Sequence, residues 1–281
     1  MKIYILALLM TVSANGYGAC IGDKNTKEPI YSFYVVPQLA VSETYLAWYP
    51  ILDQIGKKLS VCFDLQVPKG IPAFEQELKA GKADFAYMNP YHLLVSKRYQ
   101  GYLPIIADSK NQLAGIIVIK GDSHMSSVRE LDGKKMAFPA PNAMAASLLI
   151  RAYLARSGIQ IHPEYVKTHS NVFRSVVVGD YVAGGGVNNT FIREPDSLQQ
   201  ELKILFETPK YMPHPIAVHP RVPLKIRKQM AQSFVEFGKD PNKAAELDAI
   251  QIPRPIEVNY QKDYQYLEKL RLDRFAENIG G

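Results

Sequence analysis

The sequence predicts an α/β protein with two lobes around a ligand cleft, each lobe a mixed, mostly parallel sheet flanked by helices. Three observations lead there. Short β-rich runs alternate with helical stretches from Ile30 onward, the pattern of a sheet covered by helices. The alternation occurs twice. Two extended segments, near 113–116 and 208–215, join the two units. A chain of 281 residues, 47% hydrophobic and 21% charged, has the length and composition for two cores.

Residues 21–29 are polar and read as a loose leader. Ile30–Val36 alternates and is β-rich, a first strand ending at Pro37-Gln38. Glu43–Leu59 has helical periodicity through Leu46, Tyr49, Leu52, Ile55 and Leu59. Its Pro50 belongs in the first turns or at a kink. Val61–Val67 is a second strand, Pro68–Pro72 a turn, and Ala73–Ala80 a short helix closed by Gly81. Ala83–Met88 is a third strand with Asn89-Pro90 at its end. Tyr91–Tyr99 is helical, and Leu103–Asp108 and Leu113–Ile119 are β-rich. In such sheets ligands sit beyond the carboxyl ends of strands, here Gln38, the turn at Gly70-Ile71, and Tyr87-Met88-Asn89.

The second unit begins with a short helix, Ser127–Leu131. Met136–Phe138 is an apolar strand, Pro139, Pro141 and Asn142 mark a turn, and a helix runs from Ala143 to about Ser157, stopped by Gly158. A strand leading tightly into a helix N-terminus exposes unpaired amides and suits a bound anion. Yet its first turn carries Ala143, Met144, Ala145 and Ala146, which offer no hydroxyl. Tyr165–Lys167 is a strand, Asn171–Val178 a helix following His169-Ser170, and Tyr181–Val187 a glycine-rich strand ending at Asn188-Asn189. Leu202–Glu207 is a further strand. Residues 212–223 are proline-rich and extended, 223–238 and 241–248 helical, 250–258 extended, and the tail from Asp263 helical.

The net charge is +6, but lysines and arginines are scattered and lack interleaved aromatics, so no nucleic-acid partner is expected. Lys2, the apolar stretch Ile3–Val12 and the small polar Ser13–Ala19 read as a secretory signal, residues 1–19, which directs the chain to the periplasm. Cys20 follows directly. It is a candidate for a lipid anchor, and in an oxidising compartment it could instead pair with Cys62. No CxxC, HExxH or HxH appears, so neither metal nor cofactor is expected. No nucleophile motif or paired carboxylates stand out, and Asp84, Asp132 and Asp180 read as structural, so no enzyme is expected.

Gly81-Lys-Ala-Asp-Phe-Ala-Tyr-Met-Asn-Pro90, Ser127-Val-Arg-Glu-Leu-Asp-Gly-Lys-Lys-Met-Ala-Phe138, Pro141-Asn142 opening a helix, and Leu154-Ala-Arg-Ser-Gly-Ile159 follow one another in order. In this combination the chain resembles, over roughly residues 30–240, the phosphate/phosphite/phosphonate-binding (PhnD-like) branch of the type II periplasmic binding proteins. The resemblance implies a two-lobe fold and capture of a small molecule for an inner-membrane ABC permease, or for a membrane sensor. A monomer is expected. Lobe 1 would comprise 30–113 and 214–281, and lobe 2 114–213.

The resemblance also implies a ligand site, and there the chain departs from it. Where the family carries a Ser-Thr-Ser run, this chain has Ala143, Met144 and Ala145. Gly70-Ile71 stands for an Asp-Tyr pair, Met88 for a Tyr (with Tyr87 one place earlier), Ser170 beside His169 for a His, and Ala183 for an acidic residue. An unpaired buried charge costs several kcal/mol, whereas apolar cover gains roughly 25 cal/mol per Å². The expected ligand is therefore apolar or amphipathic, lipid-like or otherwise organic, facing Ile71, Met88, Met144 and Ala145. Gln38, Asn89, Asn142, His169, Asn188 and Asn189 are candidates to orient its polar end. The plainer readings stand beside these. Asn142 can cap a helix, Met144 and Tyr87 can be core, Asn188-Asn189 can be a turn, and Gly184–Gly186 can admit close backbone packing. An oxyanion gripped by backbone amides remains the alternative ligand.

Overall fold

The computed structural model describes residues 20–277. The secretory signal expected at 1–19 lies outside them. Among the described residues, twelve strands form two sheets. The first lobe contains β1 (Ile21–Gly22), β2 (Ile30–Val35), β3 (Cys62–Gln66), β4 (Phe85–Tyr87) and β5 (Leu103–Asp108). The second contains β6 (Gly115–Lys120), β7 (Lys135–Phe138), β8 (His162–Tyr165), β9 (Ala183–Val187) and β10 (Leu202–Glu207). The chain then returns to the first lobe with β11 (Ile216–Val218) and β12 (Pro255–Glu257). The sheet orders are β1-β3-β2-β4-β11-β5-β12 and β10-β6-β9-β7-β8.

Both sheets are mixed. Parallel pairing is confined to β3-β2-β4 and to β8-β7-β9, where helical crossovers connect the strands. The remaining pairs are antiparallel, because β11 enters between β4 and β5 from the other direction and β10 lines up against β6.

The helices are α1 (Val41–Leu59), α2 (Ile71–Lys79), α3 (Pro90–Gln100), α4 (Ile150–Arg156), α5 (His169–Val177), α6 (Asn188–Phe191), α7 (Asp196–Gln200), α8 (Leu224–Phe237) and α9 (Ala244–Ala249). A π-helical segment, Met144–Leu149, leads directly into α4. In α1, Pro50 lies deep in the helix instead of in its first turns. It is tolerated because Leu46, whose carbonyl loses its partner, and Pro50 itself both face solvent. The buried face is accordingly Thr44, Trp48, Ile51, Leu52 and Ile55, and Leu46 and Tyr49 are exposed.

Three other expectations need correction. The leader is not loose: Ile21 is buried, β1 pairs with β3, and Cys20 is disulfide-bonded to Cys62 across a Cα separation of 5.3 Å. That bond engages the sulfur that a lipid anchor would require. The proline-rich stretch conceals β11, fully buried between two strands. The tail is not one helix. It breaks into a π-helical turn (Tyr260–Tyr264) and two 3-10 turns (Gln265–Leu270 and Leu272–Arg274).

The sequence motifs have structural work. Asp84 accepts from the Ser32 amide at 2.8 Å and pairs with Arg221 at 2.6 Å; Arg221 also ties down the carbonyls of Gly81 and Lys82. Asp132 accepts from the Gln160 amide at 2.8 Å. Ser127 and Glu130 form a reciprocal capping box. Gly185 of β9 and Gly115 of β6 admit the π-helical segment, while Gly184 and Gly186 make room for Val172, Val176 and Phe173 of α5. A Cβ on Gly185 would overlap the Ala146 carbonyl and stand 2.5 Å from Phe138 Cδ1, and one on Gly115 of β6 would overlap the Ala145 carbonyl. Backbone therefore packs on backbone where the second lobe meets the cleft.

Candidate functional site

The cleft side of the first lobe is made by the ends of β2 and β4 and the starts of α2 and α3. The second lobe contributes the start of the π-helical segment, the start of α5 and the end of β9. Between them lies a cavity of ≈ 10 Å³, the scale of one water molecule. It is lined by Val36, Gln38, Ile71, Asn89, Ala143, Met144, Ala145, Ala146, His169, Val187 and His214. Ile71, Met144 and Ala145 are buried here, and they belong to the same apolar cluster as Phe33, Trp48 and Phe85 of the first lobe. The lobes are closed, with apolar side chains meeting across the seam.

Seven of the sequence-predicted residues share this cavity: Gln38, Ile71, Asn89, Ala143, Met144, Ala145 and His169. Met88 does not line it; the side chain is fully buried, with its sulfur 3.5 Å from Ser96 Oγ. Tyr87 borders an adjoining cavity with Trp48 and Ile250, and its ring stacks on His214 at 5.5 Å. Asn188 is engaged in structure: its side chain accepts from the Ala114 amide at 3.0 Å and donates to the Gln112 carbonyl at 3.1 Å, fixing the strand that joins the lobes. Asn189 lines a separate cavity with Lys110 and Asn111, beside the segment that joins the lobes.

Polar groups here are neutral or internally paired. Gln38 Nε2 and His214 Nε2 lie 3.2 Å apart, and the neutral imidazole accepts from the amide. Burial pushes the His169 imidazole down to about 4, and among the described residues its Nδ1 has no hydrogen-bond partner. Burial, with the neighbouring His92 and His169, pushes His214 down to about 3. Both rings are neutral at pH 7. Among the described residues, no lysine, arginine or carboxylate lines the cavity.

Beside it runs a buried polar network that crosses the seam. Asn89 caps α3 by accepting from the His92 amide at 2.8 Å. Its side-chain amide also reaches the Asn142 carbonyl in the other lobe at 3.3 Å. Glu75 on α2 bonds His92 Nε2 at 3.0 Å and accepts from Asn142 Nδ2 at 3.2 Å. In this closed structure Asn142 caps no helix, and its side chain does not line the cavity. Its side chain is saturated by Glu75 and by the backbone of Glu277, to whose carbonyl it donates and from whose amide it accepts, both at 3.0 Å.

The π-helical segment starts at the cavity wall with no hydroxyl side chain in its first turn. Ala143 takes the cap position with no side-chain bond, and the Ser147 and Leu148 amides both return to the Ala143 carbonyl, at 2.8 and 3.1 Å. Sequence reasoning missed His214, hidden between two prolines, and the Glu75–His92 pair, which sits on two helices with no motif spacing.

A family profile described as the periplasmic substrate-binding protein of phosphonate ABC transporters matches residues 33–264. The chain belongs to this family. Its members are substrate-binding components, not enzymes, and deliver small ligands to membrane permeases. Among solved structures, a binding protein component of an ABC phosphonate transporter from Pseudomonas aeruginosa superposes with a TM-score of 0.76 at 13% identity, covering 88% of this chain and 86% of that one. PhnD1 from Prochlorococcus marinus, in complex with methylphosphonate, gives 0.78 at 12% identity over 87% and 98%. A Xanthomonas citri protein bound to chloride gives 0.72 at 13% over 88% and 98%. At these identities the likeness is one of fold, the two-lobe type II periplasmic binding protein. No curated protein matches the sequence.

Proposed function

We propose that this family member captures an organic ligand whose buried part is apolar and uncharged, and delivers it from the periplasm to an inner-membrane permease. The supporting observation is the composition of the cavity wall: Val36, Ile71, Ala143, Met144, Ala145, Ala146 and Val187, with Gln38, Asn89 and two neutral histidines. A phosphonate dianion desolvated there would meet no cation, at a cost of several kcal/mol. A weakly polar group can bond His169 Nδ1, and Met144 is an adaptable apolar wall. Because the closed lobes leave so little space, the ligand enters an opened cleft and sets how far it recloses. The lobes are assigned as 30–113 with 214–281 and as 114–213, residues 20–22 joining the first, and the working unit as a monomer.

The second reading is an oxyanion held by the amides of the π-helical start alone. It is favoured by that helix start, which points into the cleft although its hydroxyls are gone. Native mass spectrometry of the protein purified from its own periplasm separates the two. A bound organic mass with an apolar part supports the first reading, and a small phosphorus-oxyanion adduct without one refutes it. If the cleft is empty, a thermal-shift comparison of n-alkanols with methylphosphonate decides. A sensor role beside a membrane receptor uses the same cleft, and a pull-down against the permease or a receptor ectodomain distinguishes it.

A further inference from the structure

A larger space between the closed lobes lies away from the helix start, with a solvent-facing mouth beside the segment that joins the lobes. There a cavity of ≈ 260 Å³ is lined by Lys110, Asn111, Asn189, Ile192, Arg193, Asp248 and Gln251. It borders a second, narrower cavity through Gln251, and that one, walled by Tyr87, Trp48 and Ile250, borders the innermost cavity through Val36 and Gln38. The three cavities share walls in the closed state, and opening of the lobes would join them into one space running from a polar mouth to the apolar seam. The mouth holds what the interior lacks. Arg193, from the second lobe, donates to the Asp248 carbonyl of the first lobe at 2.8 Å and stands 3.4 Å from its carboxylate. Lys110 has no partner among the described residues. Two cations therefore flank this space and one carboxylate orients one of them, leaving the mouth net positive.

Building on the apolar-cleft reading, we propose that the ligand is an amphipathic anion, its charged head held at the mouth by Lys110 and Arg193 and its apolar part directed inward past Tyr87 and Ile250. The polarity is the reverse of a site that grips an oxyanion at the helix start. The head group stays partly hydrated, which avoids the burial cost of an unpaired charge. Its attraction to Lys110 and Arg193 is screened by salt. Head-group capture also bridges the lobes, since Lys110 and Arg193 lie on opposite sides of the seam.

The test is calorimetric titration of three probes, n-hexylphosphonate, 1-hexanol and methylphosphonate, at low and high salt. Proteins are the wild type, the Lys110→Gln/Arg193→Gln double variant, and Asp248→Asn, which removes the ion pair but keeps both cations. All three positions are exposed, and thermal unfolding verifies the folds. The expected result is that wild type binds hexylphosphonate roughly tenfold tighter than hexanol, an advantage lost in the double variant and at high salt, and retained in Asp248→Asn. Hexanol affinity should not move. If hexylphosphonate is unaffected by the double variant while hexanol still binds, the mouth site is refuted and the apolar cleft stands. If methylphosphonate binds as tightly as hexylphosphonate, or if no probe binds, both fall.

Discussion

Acidification should open this protein through two histidines. His169 and His214 face the seam and are neutral because burial disfavours their charged forms, with native values of about 4 and about 3 against about 6.5 in the unfolded chain. The sign follows from linkage. A base whose native value is depressed contributes fully above the unfolded value, and that contribution is lost as pH falls toward the native one. Below about pH 6.5 each ring costs the closed state about 1.4 kcal/mol per pH unit. Between pH 7 and 5 that amounts to about 2 kcal/mol for each, or about 4 kcal/mol together, a large part of an ordinary domain's stability. Opening the lobes hydrates both rings, so the loss should appear first as lobe separation. Urea denaturation from pH 7.5 to 4.5 on wild type, His169→Gln and His214→Gln measures it, with small-angle scattering to follow the radius of gyration. Each variant should lose about 2 kcal/mol less than wild type between pH 7 and 5. Identical pH slopes for all three proteins, or imidazole resonances of these two residues titrating near 6.5, would refute the reasoning.

Three further outcomes follow from packing and covalent structure. Gly185→Ala should destabilise by about 3 kcal/mol or more in chemical denaturation, because neither the Ala146 carbonyl nor the Phe138 ring can retreat; Gly179→Ala, with open space around it, should cost only about 1 kcal/mol, and equal costs would refute the steric account. Replacing Cys20 and Cys62 together by serine opens a loop of 42 residues and should cost about 4 kcal/mol, read from the urea midpoint; an unchanged midpoint would mean the disulfide does not constrain the unfolded chain. Asn142→Ala removes three hydrogen bonds and leaves a buried Glu75 oxygen unpaired, for a loss of about 3 kcal/mol in thermal or chemical unfolding; less than 1 kcal/mol would show that the network is dispensable.

Much of the fold was legible because its strands are apolar runs between breakers. Leu103–Asp108 and Leu202–Glu207 have the ends the sequence suggests. What escaped has no periodicity to read. Two residues of β1 and three of β11 are held by neighbouring strands, not by local propensity, and the tail's π and 3-10 turns mimic the spacing of one helix. On the outer face of α1, Leu46 reads as core from its spacing and is solvent-exposed, because Pro50 needs that face free. The cleft itself was partly legible, since the strand-to-helix turn and the strand ends point to it. Gln38, Ile71 and Met144, far apart in sequence, do meet there. Asn142 was misleading, because an Asn ahead of a helix reads as a cap and only the folded chain brings Glu75 and Glu277 to it. Lys110 and Arg193 carry no local signal, and only closure of the lobes places them on one cavity.

The pairing of Asn142 with the backbone of Glu277 changes what kind of machine this is. Two strands crossing between lobes make a door on a single hinge, free to swing. A chain end from the first lobe fastened to the turn of the second adds a bolt on the opening side. Opening then has to break these two hydrogen bonds along with the Glu75 and Asn89 bonds to Asn142, so release of the tail adds to the barrier for ligand exchange. A load applied to the segment at Glu277 would be felt at that bolt, which makes the tail a place, beside the cavity but outside its walls, from which opening can be slowed or sped.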